Sequence, residues 1–183
     1  MKRPKLILLL TLGLSTVCFA EGSAVVLFPI NTQGIQSPDK RFLIFSSKDQ
    51  EGREPIHSLE LKDKNSGLHR KILDYGRHVE VSWSLNSLAF YVNDYSGSDT
   101  TNCLIFIPAT GEEVDLSARI KVQEDDKVVL WSNHHKHIAC KSWIKDEVMI
   151  SFTGYGDAES NGFELRYRFN LTNKKLRRLS KSK

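Results

Sequence analysis

The densest set of side chains that could do chemistry is a run of three histidines within four residues, His134, His135 and His137. Imidazole nitrogens bind zinc or copper, and closely spaced histidines can share an ion when the backbone lets them converge. No acidic or cysteine ligand stands at a recognised spacing from this run. The sequence therefore favours a solvated polar turn with no metal site, and a metal-dependent hydrolase using the His134–His137 turn is kept as an alternative.

Two long polar loops are the stronger candidates for a binding site. One runs from residue 93 to residue 102, and the other is a glycine-rich stretch from residue 154 to residue 162. The first is rich in oxygen ligands but lacks the regular spacing and terminal Glu of a calcium loop. Long loops on a rigid scaffold are where binding usually resides, although both could be plain hairpin extensions. The predicted binding residues are Asp94, Tyr95, Ser96, Ser98, Asp99, Tyr155 and Asp157.

Signatures of catalysis and of cofactor binding are absent from the sequence. The chain contains no Gly-x-Ser-x-Gly nucleophile pattern, no His-Glu-x-x-His and no glycine-rich phosphate loop. Its acidic pairs have no feature that would place them at a scissile bond. We therefore expect a protein that is not an enzyme, with no catalytic residues and no cofactor.

The first 20 residues have the pattern of a signal peptide. Lys2, Arg3 and Lys5 form a basic start, an apolar stretch follows, and Ala20 offers a small residue before the expected cut. The apolar stretch is too short to span a bilayer comfortably. Lipidation at Cys18 is the alternative, but it requires a small residue at position 17. The expected mature chain is periplasmic or secreted, without stable insertion into a membrane.

Export would place the remaining cysteines, Cys103 and Cys140, in an oxidising compartment. A bond between them would close a long loop and stabilise the fold by about 4 kcal/mol if unstrained. The alternative is two separately buried thiols. We predict the disulfide.

The distribution of charge argues against nucleic acid as a partner. Three of the 26 basic residues lie in the signal segment, which leaves 23 basic against 22 acidic residues. The basic excess is concentrated in residues 174–183, which we assign to a C-terminal strand and tail after a domain at 21–173. Because the body is mildly acidic, it offers no basic face with interleaved aromatics.

A repeated pattern organises the elements that must position these loops. Copies begin at Ser37, Ser84 and Ser132, at separations of 47 and 48 residues, and each is a polar turn that leads into an apolar strand. A fixed period of this size indicates an array of supersecondary units. Interpreting the second copy as two residues shorter makes Phe45, Phe90 and Cys140 equivalent inward positions. We find no convincing amphipathic helix after residue 20.

The repeat resembles the propeller repeats of the TolB type, a WD-repeat-like family in which Ser-Pro-Asp-Gly-Lys/Arg precedes an apolar strand ending in Phe-Ser. Residues 37–46 match this pattern, with Lys40 where Gly is usual, and the second copy keeps Trp83, Ser84 and Asn86. The resemblance implies an all-β fold, a small or partial β-propeller of three to four four-stranded antiparallel blades. Residues 24–30 could close the ring by pairing with the C-terminal unit, or the propeller could stay open.

In signal, length and repeat type the chain also resembles small periplasmic immunity proteins of propeller type, which neutralise cell-wall amidases delivered by type VI secretion. This resemblance implies an exported, non-catalytic inhibitor whose blade-face loops block an amidase effector. A TolB-like scaffold module in an envelope assembly is the alternative. Both functions require a protein partner.

Overall fold

The computed structural model describes residues 23–48, 56–124, 135–156 and 159–180. The predicted signal peptide and the third repeat's Ser132 lie outside these ranges. Thirteen strands and one helix form in the described residues: β1 Val25–Phe28, β2 Ile35–Gln36, β3 Phe42–Lys48, β4 His57–Asp63, β5 His69–Tyr75, β6 Val79–Trp83, β7 Phe90–Asp94, β8 Thr100–Ile107, β9 Glu112–Asp115, α1 Leu116–Gln123, β10 His135–Ile144, β11 Glu147–Gly156, β12 Glu159–Asn170 and β13 Leu176–Arg178.

These strands form three successive four-stranded antiparallel units, β2–β5, β6–β9 and β10–β13. A short parallel ladder, Thr100 with Lys136 and Thr101 with His137, joins the second unit to the third. β1 pairs antiparallel with β6 of the middle unit. Of the two alternatives left open by the sequence, ring closure through residues 24–30 and the C-terminal unit is therefore not the one observed, and within the described residues the sheets do not close into a ring.

The middle unit is the shared layer between two hydrophobic cores. Successive side chains of a strand point to opposite faces, so β7 and the residue before it serve both cores. Phe90 and Val92 pack against the first unit, whereas Ala89 and Tyr91 pack against the third. This arrangement fixes the three units as a stack with β7 at its centre.

The serine turns of the first two units have the same length. The backbone N–H of Phe42 donates to Ser37 Oγ at 2.9 Å, and that of Ala89 donates to Ser84 Oγ at 3.0 Å. Phe42 and Ala89 are therefore equivalent, with no deletion between them.

The predicted equivalence of Phe45 and Phe90 is consequently wrong by two positions. Phe90 is fully buried between the first two units. Phe45 is half-buried and stacks on His69, with ring centroids 5.1 Å apart. The constant 47-residue offset makes Val92, not Phe90, the counterpart of Phe45.

Helix α1 corrects the expectation that no helix follows residue 20. The Asp115 side chain caps it by accepting from the Ala118 N–H at 2.8 Å, and Leu116 and Ile120 are buried. Two buried positions, four residues apart, give a signal too short to detect by periodicity. No helix in the described ranges is long and apolar enough to cross a membrane.

The predicted disulfide is confirmed. Cys103 on β8 bonds to Cys140 on β10, with Cα atoms 5.8 Å apart, and both residues are buried. It joins the second unit to the third beside the side chain of Asn93. That amide accepts from the Cys140 N–H at 2.8 Å and donates to the Cys140 carbonyl at 2.9 Å. A covalent bond and two buried hydrogen bonds thus hold the two units together.

Candidate functional site

One end of the stacked units collects the connections that the sequence singled out. Strands β5, β7 and β11 end there, and β4, β6, β8 and β10 begin there. The β7–β8 connection therefore lies at the same end as the β11–β12 hairpin, as expected for the two predicted loops.

Each unit carries one histidine stacked on one tyrosine at this end. In the first and third units the two residues are direct cross-strand partners. In the second unit a hydrogen bond of 3.2 Å from the Tyr95 N–H to the His78 carbonyl extends the β6–β7 ladder by one step. Cross-strand ring pairs of this kind stabilise sheet ends. The pairs, which define what we call the histidine–tyrosine end, are His57–Tyr75 at 5.4 Å, His78–Tyr95 at 4.4 Å and His135–Tyr155 at 4.3 Å between centroids.

Tyr95 is bound into the fold and does not project freely. Its hydroxyl donates to Glu80 Oε2 at 2.8 Å, and the same oxygen accepts from Asn93 Nδ2 at 3.1 Å. Burial, followed by the hydrogen bond to the Glu80 carboxylate, raises the pKa of Tyr95 well above its usual value. Tyr95 therefore links this end to the Asn93 contacts between the second and third units.

Asp94 is a half-buried carboxyl group at the end of β7. Its Oδ1 is buried without a hydrogen-bond partner among the described residues. Burial raises the pKa of Asp94, and the nearby His78 offsets part of that effect. This oxygen therefore lies inside the fold and is not exposed to a binding partner.

Asp99 connects the predicted loop to the histidine strand. Its Oδ1 lies 2.9 Å from His135 Nδ1, without the alignment of a hydrogen bond, and the contact becomes an ion pair when His135 is protonated. The Asp99 carbonyl also accepts from the Lys136 N–H at 2.7 Å. His135 therefore contacts Asp99 of the predicted loop on one side and stacks on Tyr155.

His137 lies on the same strand as His135, two residues further along the chain. Its Nδ1 lies 2.9 Å from Thr101 Oγ1, a hydrogen bond whose direction depends on the tautomer. Burial, and secondarily His135, lower the pKa of His137 below its ordinary value of 6.5. His137 is therefore held in its neutral form more strongly than an exposed histidine.

The remaining predicted residues differ in exposure. Ser96 and Ser98 are exposed on the β7–β8 connection, and Tyr155 is 52% exposed. Asp157 lies outside the described residues. The accessible part of the site is thus the short connection at 95–99 with the rings of the third unit beside it.

Two predicted irregular segments are largely strand. His135 and His137 belong to β10, so the predicted His134–His137 turn is wrong for these residues, and His134 lies outside the described ranges. Most of the predicted loop 154–162 belongs to β11 and β12, which approach each other as a hairpin. The sequence did not indicate strands in this segment because it is rich in Gly, which is depleted in strands.

Sequence reasoning missed His57, His78 and Glu80. Each lies at or near the start of a strand, and each contacts a tyrosine that follows or ends the neighbouring strand. The available signal was the pairing of one histidine with one tyrosine across successive hairpins. It can be recognised only after the register of the strands is known.

The described residues contain no group of three His, Cys, Asp or Glu side chains placed to hold a metal ion. His135 and His137 lie two residues apart on one strand, and their nearest polar partners are an aspartate and a threonine. A cleft of about 540 Å³ against the third unit's outer strands is lined by Met149, Glu164 and Arg166, among others, and by none of the predicted binding residues.

Comparison with known proteins supports the fold. No family model matches the chain, and no curated protein matches its sequence. Among solved structures, the chain is similar to the β-propeller domain of the Trilobed protease from Pyrococcus furiosus, described as having an open velcro topology, with a TM-score of 0.52 and 13% sequence identity. The match covers 80% of this chain and 42% of that chain.

The chain has a β-propeller-like fold. At this identity the similarity establishes the fold alone, and the chain spans less than half the length of the matched propeller chain. The TolB-type assignment and the resemblance to immunity proteins remain predictions.

Proposed function

We propose that this chain is an exported, non-catalytic protein-binding domain that holds its partner at the histidine–tyrosine end. The observation that carries the proposal is the presence of one stacked ring pair per unit, all at one end of a stack held by two cores. The buried or bound pairs of the first two units support the half-exposed Tyr155 ring of the third, and an exposed ring on a rigid strand beside a short polar connection favours protein recognition.

The chemistry of this end indicates what the partner should offer. Tyr155 provides a half-exposed ring, a residue type that often dominates binding free energy. Asp99 is an exposed carboxylate beside His135. A partner that presents lysine or arginine to Asp99 is favoured, and the attraction should weaken with salt.

Our specific proposal is that the partner is a cell-wall amidase and that binding inhibits it. The connection that carries Ser96 and Ser98 would enter the active cleft, with Tyr155 packing at its rim. A basic, wall-binding enzyme would match the exposed carboxylate of Asp99. A TolB-like scaffold role uses the same fold and the same surface, so inhibition of the partner's activity separates the two.

The test begins with co-purification from the periplasm and identification of the partner by mass spectrometry. Binding of the purified partner is then measured for Tyr155→Ala and for a double Ser96→Gly, Ser98→Gly variant. We expect Tyr155→Ala to weaken binding at least about tenfold. The matched control is Ser66→Gly, an exposed serine in a turn at the opposite end, which should bind like the unaltered protein.

Binding that is unaffected by both changes would exclude the histidine–tyrosine end as the interface. An equimolar complex in which the amidase stays active would favour the scaffold role over inhibition. Turnover of a substrate by this chain alone, dependent on added zinc and lost in His135→Asn, would replace the binding function with the hydrolase alternative.

A further inference from the structure

The opposite end of the stack forms a continuous platform of turns. The Asp39 N–H donates to Ser87 Oγ at 2.9 Å, which joins the turns of the first and second units. Asn86 Nδ2 donates to Asp146 Oδ1 at 2.8 Å, which joins the second unit to the β10–β11 turn of the third. We call this surface, made by residues 37–41, 64–68, 84–88 and 144–146, the turn end.

Aliphatic side chains project from the turn end into solvent. Leu68 is 66% exposed, Leu85 54%, Leu88 57% and Ile144 43%. Leu85 and Leu88 occupy the positions that Pro38 and Arg41 hold in the equivalent turn of the first unit. Turn tips normally carry polar residues or glycine, and a cluster of exposed aliphatics at such tips marks an interaction surface.

Charged side chains around these aliphatics are of two kinds. Three acidic groups are occupied within the fold: Asp39 accepts from Ser37, Asp63 pairs with Arg41 at 2.8 Å, and Asp146 accepts from Asn86. In contrast, three exposed lysines make no ion pair among the described residues: Lys40, Lys64 and Lys145. Lys40 and Lys64 lie in two turns of the first unit, and Lys145 lies in the β10–β11 turn of the third.

We propose that the turn end docks reversibly on an anionic phospholipid bilayer. Aliphatic tips would enter the region between headgroups and acyl chains, and the free lysines would contact lipid phosphates. Charge complementarity favours an anionic lipid surface, because Lys40, Lys64 and Lys145 outnumber Asp39 and Asp146, the two turn-end carboxylates that have no ion pair among the described residues. Docking in this orientation directs the histidine–tyrosine end away from the bilayer. It requires no membrane-spanning segment and does not depend on the identity of the protein partner.

The test is co-sedimentation of the protein, expressed from the full chain, with phospholipid vesicles. We expect binding to vesicles that mix phosphatidylglycerol with phosphatidylcholine, little binding to phosphatidylcholine alone, and weaker binding at high salt. A triple variant, Leu85→Ser, Leu88→Ser and Ile144→Ser, should reduce binding to the anionic vesicles at least about tenfold. The matched control is Ile30→Ser with Ile56→Ser, two isoleucines exposed at the opposite end, which should bind normally.

A second variant keeps the proposal testable if the serine triple fails to fold. Lys40→Gln, Lys64→Gln and Lys145→Gln should lower binding at low salt while leaving the thermal midpoint nearly unchanged, since all three are exposed. Equal loss in the isoleucine control, or absence of binding to anionic vesicles, would overturn the proposal. It would also fail if Lys181→Gln with Lys183→Gln abolished binding while both turn-end variants bound like the unaltered protein.

Discussion

The amide of Asn93 offers a quantitative test of how the second and third units are held together. Asn93 is fully buried on β7, and its side chain bonds to both backbone groups of Cys140 on β10. Asn93→Leu keeps a similar volume but can neither donate nor accept. It would leave the Cys140 N–H and carbonyl without partners in a residue that is 2% exposed.

The expected loss follows from these two groups. A buried polar group without a partner costs about 1–3 kcal/mol, so the pair costs about 2–6 kcal/mol. Burial of the leucine side chain returns roughly 1 kcal/mol. The free energy of unfolding should therefore fall by about 1–5 kcal/mol.

The assay is equilibrium unfolding in urea, with tryptophan fluorescence as the signal and the disulfide intact. Trp83 and Trp143 are both buried, so their emission should report loss of packing. Asn102→Leu is the matched control, because Asn102 is an exposed asparagine on the neighbouring strand β8 and should change stability by less than about 0.5 kcal/mol. A loss below about 1 kcal/mol for Asn93→Leu would refute the assignment of Asn93 as the buried link between the units.

Three further predictions concern the disulfide, the repeat and pH. Protein purified without reductant should show no titratable thiol after unfolding, and two thiols would contradict the bond between Cys103 and Cys140. Phe90→Ala should cost about 3–5 kcal/mol, and the half-buried Phe45→Ala clearly less; similar losses would contradict the corrected register. The fold lowers the pKa of His137, so the unfolded chain binds more protons at this residue than the folded chain does. The contribution of His137 to stability is therefore complete above about pH 6.5 and is lost as the pH falls below that value. Urea unfolding at pH 7.5 and 5.5 should show this loss, and His137→Gln should reduce it.

The strand-rich architecture could be predicted because its signals are local. The alternation at Leu165, Tyr167 and Phe169 matches three inward positions of β12. Ser37 and Ser84 mark the turn before an apolar strand in each of the first two units. These patterns depend on neighbouring residues, so they can be recognised without knowing which strands pair.

Register and pairing between distant strands could not be predicted. Residues 25–28 are equally apolar whether they pair with the C-terminal unit or with β6, and only the tertiary structure decides between them. The equivalence of Phe42 and Ala89 was obscured because the aligned residues differ in size.

Part of the candidate site was predictable because its sequence signal is also local. Ser96 and Ser98 lie on a polar connection that the sequence shows directly. The proximity of Asp99 to His135 depends on the short parallel pairing of β8 with β10, which joins segments separated by 36 residues or so in the chain. Parallel pairs require a crossover and have no turn signal between them.

Site-specific photo-crosslinking in cells that produce the protein tests the central proposal most directly. A photoreactive amino acid is placed at Ser96 or Ser98 at the histidine–tyrosine end, and at Ser66 in a turn of the opposite end; all three serines are exposed. We predict a protein adduct of one defined mass from Ser96 and Ser98 and none from Ser66. Protein adducts from Ser66 with none from Ser96 or Ser98 would contradict the proposal that the histidine–tyrosine end holds the partner.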